Sequence, residues 1–179
     1  MEWNNPVIDA MRARRSVRKF KPELPPQEAI DAVIDAGVWA ASGRNEQAAI
    51  VVAVTQKELR DKIAEDNRKI GGWAEGFDPF YGAPVVLIVL GNKNWPTSVY
   101  DGSLVIGNMM LAAHTLGLAS CWIHRAKEEF EQEEYQALLK KLGIEGEWFG
   151  VGHCALGFAA DDVELKTIER KPNRIFYVK

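Results

Sequence analysis

Arg14-Arg15-Ser16-Val17-Arg18 is the densest run of chemistry-bearing residues in this 179-residue chain. From Met11 to Pro22 there are six basic residues and no acid. Guanidinium groups present forked donors that match phosphate oxygens, and a serine hydroxyl adds another donor. The run lies where a helix gives way to Lys21-Pro22, so its side chains can converge on an anion. A solvated basic turn is the plainer alternative. A second basic stretch closes the chain. Lys166 to Lys179 holds five basic residues and one acid, with Arg170-Lys171-Pro172 and Arg174 among them. It reads either as a second phosphate contact or as a solubilising tail.

Two further segments carry ligand chemistry. Ser42-Gly43-Arg44-Asn45-Glu46-Gln47 joins a helix to an apolar strand. Such loops offer backbone donors, and Asn and Gln amides match the donor–acceptor edges of heterocycles. Capping and turn chemistry is the simpler reading. Cys121-Trp122-Ile123-His124-Arg125 ends another strand, and ligand crevices of open α/β sheets lie beyond the carboxyl ends of strands. His124 and Arg125 there could neutralise an anion. Cys121 with His124 or His114 lacks the glycine-rich turn of a nucleophile, and the histidines are too scattered for a zinc set. No Walker A, G-x-G-x-x-G or G-x-S-x-G motif occurs.

The elements that must position these residues follow from periodicity. Asn5 as N-cap and Pro6 open a first helix. After Pro25-Pro26 comes a second, with Ile30, Val33, Ile34 and Val38 on one stripe, ending near Ala41-Ser42-Gly43. Ala48 to Thr55 reads as a strand buried on both faces. Thr55 and Glu58 suggest a capping box for a third helix. Gly71 to Gly82, with Trp73, Phe77, Phe80 and Tyr81, is a long loop of the kind that forms lids or binding loops. Pro84 to Leu90 is a second strand. A helix from Ser98 or Asp101 to Leu116, apolar nearly all round, is expected to be covered on all sides. Ala119 to Ile123 is a third strand, Lys127 to Leu142 a single surface helix and Phe149 to Phe158 a fourth strand. Ile175-Phe176-Tyr177-Val178 is strand-like with no hairpin partner nearby, so it must add to a sheet edge, its own or a partner's.

Strands alternating with helices predict one α/β domain over residues 1–179, a central sheet with helices on its faces. Net charge is −3, which argues against a general nucleic-acid or membrane-surface binder. No apolar run approaches the ~20 residues that span a bilayer. Cys121 and Cys154 form no disulfide framework, and the N-terminus has no signal layout. Reduced thiols and a cytoplasmic location are expected. Six tryptophans suit packing, or an aromatic-lined pocket for a flat ligand.

Taken in order, these segments resemble the flavin-dependent nitroreductase family, as a short, single-domain member. Arg14-Arg15-Ser16-Val17-Arg18-Lys19-Phe20 is similar to the family's R-R-S-x-R-x-F signature. Ala41-Ser42-Gly43-Arg44-Asn45-Glu46-Gln47 is similar to P-S-x-x-N-x-Q-P-W, with Ala41 for its first proline and Ala48-Ala49 for the Pro-Trp. Tyr81-Gly82-Ala83-Pro84 before a strand resembles A-P-x-x-I/V. Asp101-Gly102, Gly107-Asn108-Met109-Met110-Leu111-Ala112-Ala113 and Leu116-Gly117-Leu118 resemble the central-helix signature, and Gly157-Phe158 and Arg170-Lys171-Pro172 its closing G-Y and R/K-K-P. Each piece is short; their collinear order is specific.

The resemblance implies an α+β, three-layer fold with a mixed central sheet, and a homodimer with exchanged C-terminal strands and FMN at the interface. It implies that Arg14, Ser16 and Arg18, joined by Arg15, hold the phosphate, ribityl chain and pyrimidine edge. Ser42, Gly43 and Asn45 come from the partner subunit, with Gln47 supporting that loop. Trp122, Ile123, His124 and Arg125 match the stretch that passes the flavin N5, Arg170 and Lys171 close on the phosphate, and Asn67 is a candidate for the pyrimidine edge. The implied activity is ping-pong: NADH or NADPH gives a hydride to FMN, and a nitroaromatic, a quinone or a similar electron-poor small molecule takes it. No catalytic side chain and no metal ligand is singled out. A non-catalytic FMN-binding module, or a flavin enzyme of this fold with another reaction (dehalogenation, flavin fragmentation, azoline oxidation), is the alternative.

Overall fold

The computed structural model describes residues 5–179. Asn5 caps the first helix, α1 (Pro6–Ala13), its Oδ1 accepting from the N–H groups of Val7 and Ile8. Then follow α2 (Gln27–Val38), β1 (Ala49–Val54), α3 (Lys57–Gly71), β2 (Val85–Asn92) and α4 (Ser98–Thr115). β3 (Ala119–Ile123), α5 (Ala126–Phe130), α6 (Glu133–Lys141) and β4 (Trp148–Gly157) complete the order.

The four strands pair in the order β1-β2-β4-β3, antiparallel throughout. One parallel contact supplements them, an isolated bridge between Ser16 and Ser120. β2 is central and wholly apolar over six residues because both of its faces are covered. Val86, Ile88 and Leu90 face one core with Ile63, Phe130 and Tyr135; Val85, Leu87 and Val89 face the other with Ile30, Val33 and Met109. The sheet is therefore the middle of three layers, α2 and α4 on one side and α3, α5 and α6 on the other.

Four expectations are corrected. β1 is an edge strand with Ala53 exposed, so it is not buried on both faces. The third helix is capped by Gln56 without a side-chain bond; Thr55 and Glu58 form no capping box. The single helix expected over Lys127 to Leu142 is two, broken at Glu131-Gln132. Phe130 and Tyr135 both face the core, with ring centroids 5.2 Å apart. On one continuous helix they would point about 140° apart, so the break lets both be buried. The Gln136 side chain then donates to the freed Phe130 carbonyl.

The fourth correction concerns α4. It is buried only on the side that meets α2 and the sheet, through Val105, Ile106, Met109 and Ala113. Val99, Tyr100, Leu104 and Leu116 remain exposed, as do Val7 and Met11 of the neighbouring α1. At the C-terminus, residues 174–179 form no strand within the chain, and Ile175, Phe176, Tyr177 and Val178 are all exposed. No helix is long and apolar enough to cross a membrane among the described residues.

Candidate functional site

Residues 14–20 leave α1 and run alongside β3. The Val17 N–H donates to the Ser120 carbonyl at 3.0 Å, and buried Val17 and Phe20 pin the strip to the core. Extended backbone alternates its side chains, so Ser16 and Arg18 lie on the other side from Val17. Arg15 is committed to the backbone. Its Nη1 donates to the carbonyls of Arg12, Ala13 and Arg14, and its Nε to that of Lys166 at 3.1 Å. It thus caps the end of α1 and draws the post-β4 segment over the strip.

That segment is tied further by main chain and charge. Lys21 N–H donates to Phe158 O and Ala160 N–H to Lys19 O, while Lys21 pairs with Asp161 at 2.6 Å and Lys19 with Asp162. Between strip and segment lies a cavity of about 490 Å³. Six bases line it, Arg14, Arg15, Arg18, Lys19, Lys166 and Arg170, against one acid, Glu164. Arg14 Nη1 is buried with no hydrogen-bond partner. None of Arg14, Arg18 or Arg170 pairs with a carboxylate among the described residues. A buried guanidinium donor left unpartnered is costly, and an anion in this cavity would satisfy it.

The end of β3 is a separate neighbourhood. Trp122 is half-buried against Gly152, where an added Cβ would sit 3.0 Å from the indole. Ile123 belongs to the core, and His124 is exposed. Arg125 has a positive φ of 81° and pairs with Glu128 at 3.0 Å. Gly150 allows this turn to sit flat on β4: a Cβ there would lie 2.0 Å from the Ala126 carbonyl. None of residues 122–125 lines the basic cavity. β3 links the two places. Ser120 abuts Ser16, and four strand residues later His124 is roughly 13 Å away.

The Ser42–Gln47 loop lies elsewhere, along a cavity of about 250 Å³ with Ala48, Asp101 and Val105. Arg44, Asn45 and Gln47 all have positive φ (52°, 59° and 50°), a concentration of strain that needs support. Asp101 supplies it. Its carboxylate accepts from Gly43 N–H and from Thr97 Oγ1, both at 3.0 Å. A Cβ at Gly43 would lie 2.4 Å from Thr97 Oγ1, so a side chain there would displace the Thr97 hydroxyl. Ser42 Oγ accepts from the Gln47 N–H at 3.0 Å.

The structure therefore brings Arg14, Arg15, Ser16, Arg18 and Arg170 to one cavity. Lys171 follows on the exposed arm and does not line it. Ser42, Gly43 and Asn45 are not at this cavity in the single chain. Asn67, expected at a ligand edge, is wholly buried, its Nδ2 bonded to the His124 carbonyl and to Glu129. Sequence reasoning missed that tie and placed Glu129 on a surface helix. Its spacing from the buried Ala126 and Phe130 was the available signal. It also missed Asp101 as the support of the strained loop. Cys121 is buried beneath the cradle; burial raises its pKa, while Arg18, Ser16 and Arg14 pull it back. Full burial pushes Cys154 up to about 12. Neither is poised as a nucleophile at neutral pH.

Comparison with known proteins places the chain in a family. The nitroreductase family model matches residues 11–158, so this chain belongs to the nitroreductase family. A nitroreductase with bound FMN from Bacteroides fragilis is similar at 30% identity and TM-score 0.87, covering 98% of this chain and 100% of that one. A nitroreductase with bound FMN from Desulfitobacterium hafniense is similar at 25% identity and TM-score 0.86, with the same coverage. A protein from Methanothermobacter thermautotrophicus, provisionally named an NADH dehydrogenase/NAD(P)H nitroreductase, is 32% identical over 123 residues. That match spans 65% of this chain and 59% of the archaeal protein.

Proposed function

We propose that this chain binds FMN and passes hydride from NADH or NADPH to an electron-poor small molecule such as a nitroaromatic or a quinone. The observation that carries the reading is the buried, unpartnered Nη1 of Arg14 in a basic cavity at the start of β3, in a nitroreductase-family chain. The donor set suits a phosphate: forked guanidiniums, a hydroxyl and few competing acids. FMN would supply reversible hydride acceptance, and the protein supplies binding, orientation and electrostatics.

Arg14, Ser16 and Arg170 would hold the phosphate, with Arg18 further along β3 toward the ring system. Arg15 holds the cradle's shape through the carbonyls it binds. The roughly 13 Å from Ser120 to His124 along β3 suits a mononucleotide lying with its phosphate at the strand's start. The turn at His124-Arg125 would then border the reacting edge. Cationic donors there would favour the electron-rich form of the bound ring.

The working unit is a homodimer in this reading. The apolar residues left exposed on α1 and α4 form a face that a second copy would cover, and the Ile175–Val178 arm would add to the partner's sheet. The Ser42–Asn45 loop would reach the partner's FMN. Steady-state turnover tests the activity. FMN-loaded protein should oxidise NADH or NADPH faster when a nitroaromatic is added, with parallel lines in a two-substrate initial-rate plot. Bound FMN with no acceptor-dependent oxidation of either nicotinamide would leave a binding module in place of an enzyme.

A further inference from the structure

Behind the end of β3 lies a chain of buried polar side chains. Asn67 of α3, Glu129 of α5 and His153 of β4 are each wholly enclosed. Asn67 Nδ2 donates to Glu129 Oε1 at 2.6 Å and to the His124 carbonyl at 2.8 Å. Glu129 Oε2 lies 2.7 Å from His153 Nε2. Phe80 closes the far side, its ring centroid 5.3 Å from that of His153 in an edge-on contact. With Nε2 donating to the carboxylate, His153 Nδ1 is left without a partner, as is Asn67 Oδ1.

Apolar side chains of similar volume would fill this space without desolvating a carboxylate, an amide and an imidazole. The bond these side chains make beyond the trio goes to the His124 carbonyl, at the end of β3. That peptide is trans, and a trans peptide carries its C=O and N–H on opposite sides. Drawing the carbonyl inward therefore turns the Arg125 N–H outward. This N–H has no partner among the described residues. The turn also holds Arg125 at φ 81°, a conformation that needs support from its surroundings.

We propose that Asn67, Glu129 and His153 form a positioning network that fixes the His124–Arg125 peptide with its N–H directed outward. The consequence for hydride transfer rests on the function proposed above; the effect on the turn does not.

The experiment reads both, in wild-type protein, Asn67→Ala and Glu129→Gln. Glu129→Gln keeps the shape and an oxygen for the Asn67 amide. In flavin-free protein, amide hydrogen exchange across residues 122–130 should rise at least tenfold in Asn67→Ala and stay within threefold in Glu129→Gln, with β2 unchanged in both. In FMN-loaded protein, Asn67→Ala should slow flavin reduction by NADH or NADPH at least tenfold while FMN affinity changes less than threefold. Unchanged exchange across 122–130 in Asn67→Ala overturns the network, whatever the flavin does. A loosened turn with flavin reduction at the wild-type rate reduces the trio to packing and overturns its positioning role. Should Asn67→Ala not fold, Asn67→Ser, too short to reach both acceptors, is read the same way. Wild-type protein that takes up no FMN would count against the proposed function and leave the exchange result to decide the network.

Discussion

Two adjacent arginines divide the labour at one end of the proposed site. Arg15 is bound to four carbonyls and shapes the cradle, whereas Arg14 keeps a buried donor without a partner. Arg14 is therefore the residue whose loss should be felt by the ligand. Arg14→Ala should weaken FMN binding by about 1.5–3 kcal/mol, the worth of a hydrogen bond to a charged group. That is roughly a 10- to 150-fold rise in Kd. Titration followed by flavin fluorescence measures it, and an unchanged Kd would remove Arg14 from the site. The sequence offers the Arg14–Arg18 run as a candidate anion site beside a solvated basic turn, and does not separate the two roles. The separation depends on where α1 ends and which carbonyls it leaves unpaired, a tertiary matter.

Elements with strong local signals were legible. Asn5-Pro6 fixes the start of α1, and the unbroken apolar run from Pro84 to Leu90 announces the strand β2. β3 has the predicted bounds, Ala119 to Ile123. What periodicity missed was set by packing between elements. The break between α5 and α6 exists so that Phe130 and Tyr135 can share a core. α4 was expected to be covered all round because an apolar helix face left exposed in the single chain is indistinguishable, in sequence, from one packed in its core. The site was legible as separate pieces, and the basic cavity brings Arg170 to Arg14 and Arg18. Its supports, Asp101 under the Gly43 loop and Glu129 behind His124, were not legible, since buried acids carry no periodic mark. One glycine tests the element scale. Gly150→Ala would drive a Cβ into the Ala126 carbonyl, so β4 and α5 must separate. Overpacking of this kind costs about 1–3 kcal/mol, or roughly 2–12 °C in Tm for a chain of this length. Thermal unfolding should show that loss, and an unshifted Tm would mean that the turn yields freely.

At the scale of the molecule, the net charge of −3 conceals a sharply basic cavity, and a self-sufficient core coexists with surfaces that a single copy leaves open. Ile175, Phe176, Tyr177 and Val178 are four consecutive exposed apolar residues on an arm that pairs with no strand among the described residues. If the arm pairs with a second copy, the full chain should sediment at twice 20.0 kDa. A chain ending at Asn173 should then shift toward monomer at the same concentration and hold FMN more weakly. Equal masses for the two would assign the arm no part in assembly. The central claim, that the chain binds FMN for hydride transfer, is tested most directly by the visible absorption spectrum of the purified, FMN-loaded protein under anaerobic conditions. A flavin band that bleaches on addition of NADH or NADPH and returns when a nitroaromatic is added is the predicted result. A protein that takes up no FMN, or one whose flavin band neither nicotinamide bleaches, would contradict it.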